Sequence, residues 1–420
     1  MLNLISKSLL NSILSVFFGF LFSVIIARVL GAEDRGILGV LLFVSSIVSS
    51  ISQLGLSSGY IYSSRYLEKS SRVLILKTIL IIVFFSLIIF IIGINRISNA
   101  DLHFFSYYLI ITSVTTTVHM YLLQSSQVDE RLLQYNLAKF SFPLFNSIGI
   151  CLLWFCIEKI NIIHIITLNV FSMSVCCLIL LKGIYNYEKL RINKDPLFVK
   201  DIFNYSLKMY ATNITGVFLN SIDKFILMKI GSFSDVGIYL VAFSTSRLIG
   251  IIPETISTII FSKYAGKNQG DSPVIISYAF TCLLCPLLLF GCVIYGVGYF
   301  MVPIIFGISY SGAIHPFGIL VLECILSSTG WILAQRFNVS GKPGLVFFRQ
   351  IISILPLLLL FLIPTEGEIV IYISIALLFC SLFRLFITLF QYKFILNEPV
   401  PSLIPKKHHY SFLWSVINKQ

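Results

Sequence analysis

Charge is what this sequence has least of. Only 11% of its 420 residues are Asp, Glu, Lys or Arg, and 18 acidic residues stand against 30 basic ones. Polar connections are scarce too, and the longest, 184–204, is the only stretch fit to divide the chain. A soluble fold of this length needs a far more charged surface, so that class is excluded. The phosphate-cradling pattern Gly-x-x-x-x-Gly-Lys-Ser/Thr is absent, which excludes ATP-driven work by this chain alone. No basic domain stands apart, so the net charge of +12 does not mark a nucleic-acid partner.

What is present is hydrocarbon. Hydrophobic residues make up 57% of the chain, and its mean hydropathy is +0.94. The apolar residues fall into twelve runs: 9–30, 37–58, 73–95, 104–126, 138–157, 161–183, 206–229, 236–260, 273–302, 312–335, 345–363 and 369–392. About 20 apolar residues span a bilayer as a helix. The expectation is therefore an all-α, polytopic membrane protein with about twelve transmembrane helices. The first run is too long for a signal peptide and ends in Arg28, so it reads as a retained helix. With the N-terminus in the cytoplasm, 22 of the 30 basic residues fall inside and six outside. That asymmetry predicts that both termini are cytoplasmic.

All nine cysteines lie within apolar runs. Cys282 and Cys285 form a Cys-x-x-Cys pair, but no second ligand pair is in register, so they read as small packing residues.

The chain repeats itself. ARVLGAEDRGILGVLLFV at 27–44 matches LMKIGSFSDVGIYLVAFS at 227–244, with Gly31 against Gly231. A second match sets Gln124 opposite Gln335. The expected organisation is a six-helix bundle at 1–184, a cytoplasmic connection at 185–204, a second bundle at 205–395 and a cytoplasmic tail at 396–420. Six spans is an even number, so the bundles should be related by a pseudo-two-fold axis along the membrane normal, with a substrate path between them.

Polar residues at helical spacing mark the helix faces. The first run carries Ser12, Ser15, Gly19 and Ser23; the second carries Ser46, Ser49, Ser50, Gln53 and Ser57. At offsets of 200 and 201 the repeat puts Thr212, Thr215 and Asp223, then Arg247, Glu254 and Thr258, on the corresponding faces. Small polar residues serve close helix packing as well as cavity lining. An ionisable group at the bilayer centre costs about 2.5–3.5 kcal/mol on insertion scales, which packing does not require. Arg247 and Glu254 are two turns apart, too far for a direct pair, which leaves Arg247 to meet an anion. Asp223 and Lys224 point about 100° apart, and Lys224 reads as snorkelling to the outer surface. Arg384 and Glu323 either pair with each other or line the path. His119 and His164 are either proton relays or hydrogen-bonded packing.

Four segments carry a family resemblance: ARVLGAEDRG at 27–36, QLGLSSG at 53–59, NSIDKFILMKIGSFSDVGIY at 220–239 and NVSGKPG at 338–344. In order and spacing the chain resembles the Wzx-type (O-antigen) polysaccharide flippases of the multidrug/oligosaccharidyl-lipid/polysaccharide exporter superfamily. The resemblance implies movement of an undecaprenyl-diphosphate-linked oligosaccharide from the cytoplasmic to the periplasmic leaflet of the bacterial inner membrane. It also implies a central cavity with alternating access and coupling to H+ or Na+, with no other cofactor. Further partners would be membrane lipid and the polysaccharide polymerase and chain-length machinery. An anionic diphosphate-sugar needs cations, and Arg28, Lys139, Lys208, Arg247 and Arg384 are the candidates. Asp223, Glu254 and Glu323 are the candidate coupling carboxylates. Ser23, Ser46, Ser49, Ser50, Gln53 and Gln124 are the candidate polar lining. Two other readings stand beside this one. An O-antigen polymerase or ligase would carry a large periplasmic loop, and the longest outside loop here is about ten residues. A drug or cation antiporter of the same superfamily would favour a carboxylate-rich path, whereas the deep charges here are mostly basic.

Overall fold

The computed structural model describes residues 2–57, 60, 72–94, 106–126, 133–187, 206–207, 210, 214, 217, 221–264, 272–340, 342–359 and 368–411. Lys208, Thr212 and Thr215, and the connection from 188 to 204, lie outside the described residues. The chain forms two compact units, Met1–Ser221 and Ile222–Gln420.

The first unit holds α1 (Leu2–Ser52), α2 (Arg72–Ile94), α3 (Ser106–Ser125), α4 (Leu133–Cys156) and α5 (Ile162–Tyr187). The first and second apolar runs thus lie on one 51-residue element, broken at Gly31, whose φ of 77° and ψ of −179° are not helical. That backbone region is essentially reserved for glycine. The α1 element packs on α3 and α4, and α3 also packs on α2 and α5. Just past α1, Gly55 (φ 67°) lets the Ser206 carbonyl and the Tyr210 amide approach; a Cβ there would overlap the Ser206 oxygen. The Tyr210 hydroxyl donates to the Ile51 carbonyl at 3.0 Å.

The second unit holds α6 (Ile222–Ile230), α7 (Phe233–Ser246), a 3-10 turn (Arg247–Gly250), α8 (Ile251–Tyr264), α9 (Ser272–Phe306), α10 (Ile314–Val339), α11 (Pro343–Ile352), α12 (Leu355–Leu359) and α13 (Ile369–Phe394). Ser232 and Asp235 close a reciprocal capping box at the start of α7, which fixes where the chain turns after Gly231. The α10 helix is the axis of this unit and packs on α7, α8, α9, α11 and α13. Its buried residues lie on every side, from Phe317 and Val321 to Leu333 and Phe337, as a fully enclosed helix requires. The α9 helix is different. Leu289, Phe290, Val293, Val297, Phe300 and Ile304 are exposed at three- and four-residue spacing, an apolar stripe suited to lipid.

Seven of the described helices are long and apolar enough to cross a membrane. The protein is therefore an all-helical, multi-pass membrane protein.

Candidate functional site

The second unit gathers its deep charges around α10. Asp223, on α6, is 3% exposed. Its Oδ2 lies 2.9 Å from Lys224 Nζ and accepts a hydrogen bond from the Tyr239 hydroxyl. Lys224, expected to snorkel to the outer surface, is half-buried and paired with this carboxylate. The length and flexibility of its side chain bring the ammonium back to the neighbouring carboxylate despite the 100° between their Cα–Cβ directions.

Phe243, one turn beyond Tyr239, separates two cations. Lys224 Nζ lies 4.2 Å from its ring centroid and Arg247 Cζ lies 4.3 Å from it. Arg247 Nη2 then sits 2.7 Å from Glu323 Oε2 on α10. This is a close ion pair without hydrogen-bond alignment, because Glu323 Oε2 receives no aligned donor. Arg247 is thus not left free, as its own helix suggested; its partner comes from another helix. The 3-10 turn at 247–250 also breaks the straight-helix spacing behind the shared face expected for Arg247 and Glu254. Glu254 is exposed. Its Oε1 sits beside Gly250, where Cys324 Sγ also closes in.

Arg384, on α13, donates from Nε to Ser353 Oγ at 3.2 Å. Glu323 has taken Arg247, so the mutual pair considered for Arg384 and Glu323 does not form. Arg349, on α11, is 1% exposed. Its Nη1 donates to the Gly330 carbonyl at 3.1 Å and to Thr388 Oγ1 at 3.0 Å, while its Nε has no hydrogen-bond partner. Arg349 and Ser353 are four apart on one side, Arg384 and Thr388 four apart on the other, so the two arginines are cross-linked between the same pair of segments. Among the described residues, Lys224 pairs with Asp223 and Arg247 with Glu323, while Arg349 and Arg384 donate to neutral groups. The cluster carries an excess of positive charge.

Among the described residues, the buried polar side chains of the first unit carry no Asp, Glu, Lys or Arg. Ser23 is buried and accepts from Arg35 Nη2 at 2.8 Å. Ser49 and Gln53 are buried and bonded to each other at 3.2 Å. Ser46 is exposed and Ser50 half-buried; each turns back to its own helix, at the carbonyls of Phe43 and Ser46. The buried face is instead the one through Ser45, whose hydroxyl meets Thr112 Oγ1 at 2.8 Å. Ser45, Ser49 and Ser52 are also at helical spacing, so the sequence held this alternative register. Arg28 and Lys139 are exposed, and Lys139 Nζ reaches Ser12 Oγ at 3.4 Å. His119 is buried against Phe142 at 5.4 Å, and its Nδ1 has no hydrogen-bond partner. His164 Nδ1 accepts from the Asn161 amide at 3.2 Å, a local role at the start of α5.

One contact recurs in both units. Gln124 on α3 accepts from Ser57. Gln335 on α10 donates to Ser257 on α8 at 2.9 Å. These are the two glutamines the sequence repeat aligned, each bonded to a serine 200 residues from its counterpart. Among the described residues no three His, Cys, Asp or Glu side chains form a metal-binding group. Cys285 turns its thiol to the Leu403 carbonyl at 3.3 Å.

Comparison with known proteins agrees with this architecture. A probable low-salt glycan biosynthesis flippase, Agl15 of Haloferax volcanii, is 27% identical over 169 residues. That match takes in 38% of this chain and 35% of the relative, so the chain spans about a third of the curated protein it matches. The lipid II flippase MurJ in an inward closed conformation aligns with a TM-score of 0.67 at 14% identity, over 97% of this chain and 90% of that one. An inward-facing multidrug resistance MATE transporter of the MOP superfamily aligns at 0.64 and 14% identity, over 91% and 95%. At such identities the likeness is one of fold. The model of the polysaccharide biosynthesis protein family matches residues 25–315. That is more than half the chain, and the protein belongs to this family, with the fold shared by MurJ and the MATE transporters.

Proposed function

We propose that this protein is a flippase for a lipid-linked glycan. Its cargo is an undecaprenyl-diphosphate-linked oligosaccharide, carried from the cytoplasmic to the periplasmic leaflet of the bacterial inner membrane by alternating access. One observation carries the reading. The cluster of the second unit sets four cations against the buried carboxylates Asp223 and Glu323. Arg349 is buried and Lys224, Arg247 and Arg384 are half-buried, and charge held among apolar helices is costly. A surplus of positive charge there favours an anionic ligand, and a diphosphate is the densest anion such a cargo offers. Arginine suits it through paired, planar donors.

In this reading Arg247 is the gate. The Arg247 side chain keeps 30% of its surface exposed while paired with Glu323, so a phosphate oxygen can reach and compete for the guanidinium. Once Arg247 turns to the cargo, Glu323 is left buried and seeks a proton or Na+. That exchange couples the cycle to an ion gradient. Asp223, held by Lys224 and Tyr239, is the second carboxylate of the relay, and the more exposed Glu254 the third. Arg384 and Arg349 extend the positive field, and Arg28, Lys139 and Lys208 draw the headgroup in. Ser23, Ser46, Ser49, Ser50, Gln53 and Gln124 supply polar groups for the sugars. Twelve spans in two duplicated halves, with both termini cytoplasmic, complete the proposal. The polymerase and chain-length machinery would receive the product.

The MATE likeness raises the drug-antiporter reading. A cationic drug would be repelled by the four cations of the cluster, which favours the glycan. The test is transport of a lipid-linked oligosaccharide in vesicles reconstituted with the full chain. Arg247→Ala should abolish flipping, and Arg247→Lys should restore part of it, since a point charge replaces a fork. Wild-type flipping by Arg247→Ala would overturn the reading.

A further inference from the structure

The tail beyond α13 does not trail away from the second unit. The Glu398 carboxylate takes a two-pronged contact from Arg336 at the end of α10, with Nη2 to Oε1 at 2.5 Å and Nε to Oε2 at 3.2 Å. The chain then runs along α9. Thr281 Oγ1 donates to the Ser402 carbonyl at 2.6 Å, and the next carbonyl, that of Leu403, meets the Cys285 thiol. Pro401 is buried. His409 is 5% exposed, stacks on Tyr278 at 4.4 Å between centroids, and receives the Lys406 amide at Nδ1. The tail is a strap fixed at three places.

Beside those places several of its large side chains are exposed. Ile404 is 71% exposed, Leu403 48% and Tyr410 47%. Lys406, Lys407 and His408 are exposed beside them. Large apolar side chains on a firmly anchored segment, interleaved with lysines, are the chemistry of a segment lying in a lipid interface.

The height of the strap supports the same occupant. The 35 residues of α9 are far more than the roughly 20 that cross a hydrocarbon core. Counted back from Phe306, that core ends near Leu287, and the exposed apolar stripe of α9 begins at Leu289. On that count Thr281 and Cys285, where the strap is pinned, fall beyond the core, at headgroup level.

We propose that residues 400–411 form an interfacial strap that binds anionic phospholipid headgroups, with Leu403 and Ile404 inserted among the acyl chains and Lys406 and Lys407 on the phosphates. The site is independent of the glycan path. A basic residue near an anionic surface gains enough to enrich anionic lipid about fivefold.

The test places a benzophenone side chain at position 404 of the full chain, in vesicles of equimolar phosphatidylglycerol and phosphatidylcholine. Irradiation should give phospholipid adducts at 404, with phosphatidylglycerol favoured at least about fivefold, the gain of one of the two lysines. The same probe at 289, on the apolar stripe, should take both lipids at their bulk ratio. Lys406→Gln with Lys407→Gln should bring the ratio at 404 down to that at 289. Lys406→Arg with Lys407→Arg should preserve the enrichment, which separates charge from folding of the strap. Absence of lipid adducts at 404, adducts to protein alone, or equal labelling by both lipids in the parent would each overturn the proposal.

Discussion

Arg247 holds Glu323 in the resting arrangement and, in the proposed cycle, leaves it for the cargo. These roles predict different things. Removing one member of a buried ion pair leaves the other uncompensated, which costs about 3–5 kcal/mol in the fully buried limit. Arg247 retains 30% of its side-chain exposure, so a smaller loss is expected. Arg247→Ala should lower the thermal unfolding midpoint in detergent, and adding Glu323→Gln should recover most of the loss, with a coupling of about 1–3 kcal/mol. Flipping should stay absent in the double variant. If stability and flipping return together, Arg247 is a structural staple. The deep charges themselves were legible in the sequence, because charge inside an apolar run is rare. Their partners were not. Glu323 lies on α10 and Ser353 after α11, so nothing in the local spacing of Arg247 or Arg384 points to them. Arg349 counted only among the 22 cytoplasmic basic residues, near the start of the 345–363 run, and packing alone buries it.

Helical character was the most legible feature, since apolar runs of this length have few alternatives. Helix ends were less so, because the first two runs share one element and a 3-10 turn at 247–250 breaks the eighth. The register of faces was less legible too. Ser45 and Ser46 offered two stripes one residue apart, and only packing against Thr112 selects the first. At Gly31 the backbone itself can be tested. Nothing lies within 4 Å of the Cβ an alanine would add, so Gly31→Ala should cost only the backbone penalty, about 1–3 kcal/mol. At Gly55 the same substitution would also drive a methyl group into the Ser206 carbonyl. Gly55→Ala should therefore be the more damaging of the two, measured by thermal unfolding of the purified chains. Equal losses would mean that the approach of Ser206 and Tyr210 to Gly55 is not rigid. The Ser257–Gln335 bond allows a similar comparison. Gln335→Leu leaves the Ser257 hydroxyl, on a residue 1% exposed, without its partner, at about 1–3 kcal/mol. Replacing Ser257 with alanine as well should recover part of that loss.

Across the whole molecule, direction and driving force are the properties at stake. The excess of basic residues in alternate loops predicts that reporters fused at Asn193 and Arg96 report opposite compartments, with Asn193 cytoplasmic. Periplasmic activity at Asn193 would invert the map and the direction of transport with it. In the proposed cycle the driving force depends on carboxylates that alternate between a cation of the protein and an external ion. Glu323 and Asp223 have such partners now, Arg247 for the first and Lys224 with Tyr239 for the second. A neutral amide keeps the shape of each and removes both proton uptake and most of the attraction for Na+. Glu323→Gln and Asp223→Asn should therefore retain binding of the lipid-linked glycan yet flip it at a rate indifferent to an imposed pH or sodium gradient. The parent should flip faster with the gradient than without. Glu254→Gln is the informative companion, because Glu254 is exposed whereas Asp223 and Glu323 are buried. If Glu254→Gln alone abolishes the gradient response, coupling runs through Glu254 rather than through the cluster. If all three variants respond like the parent, the protein equilibrates its cargo without a coupled ion, and direction comes from the reactions that consume the glycan on the far side.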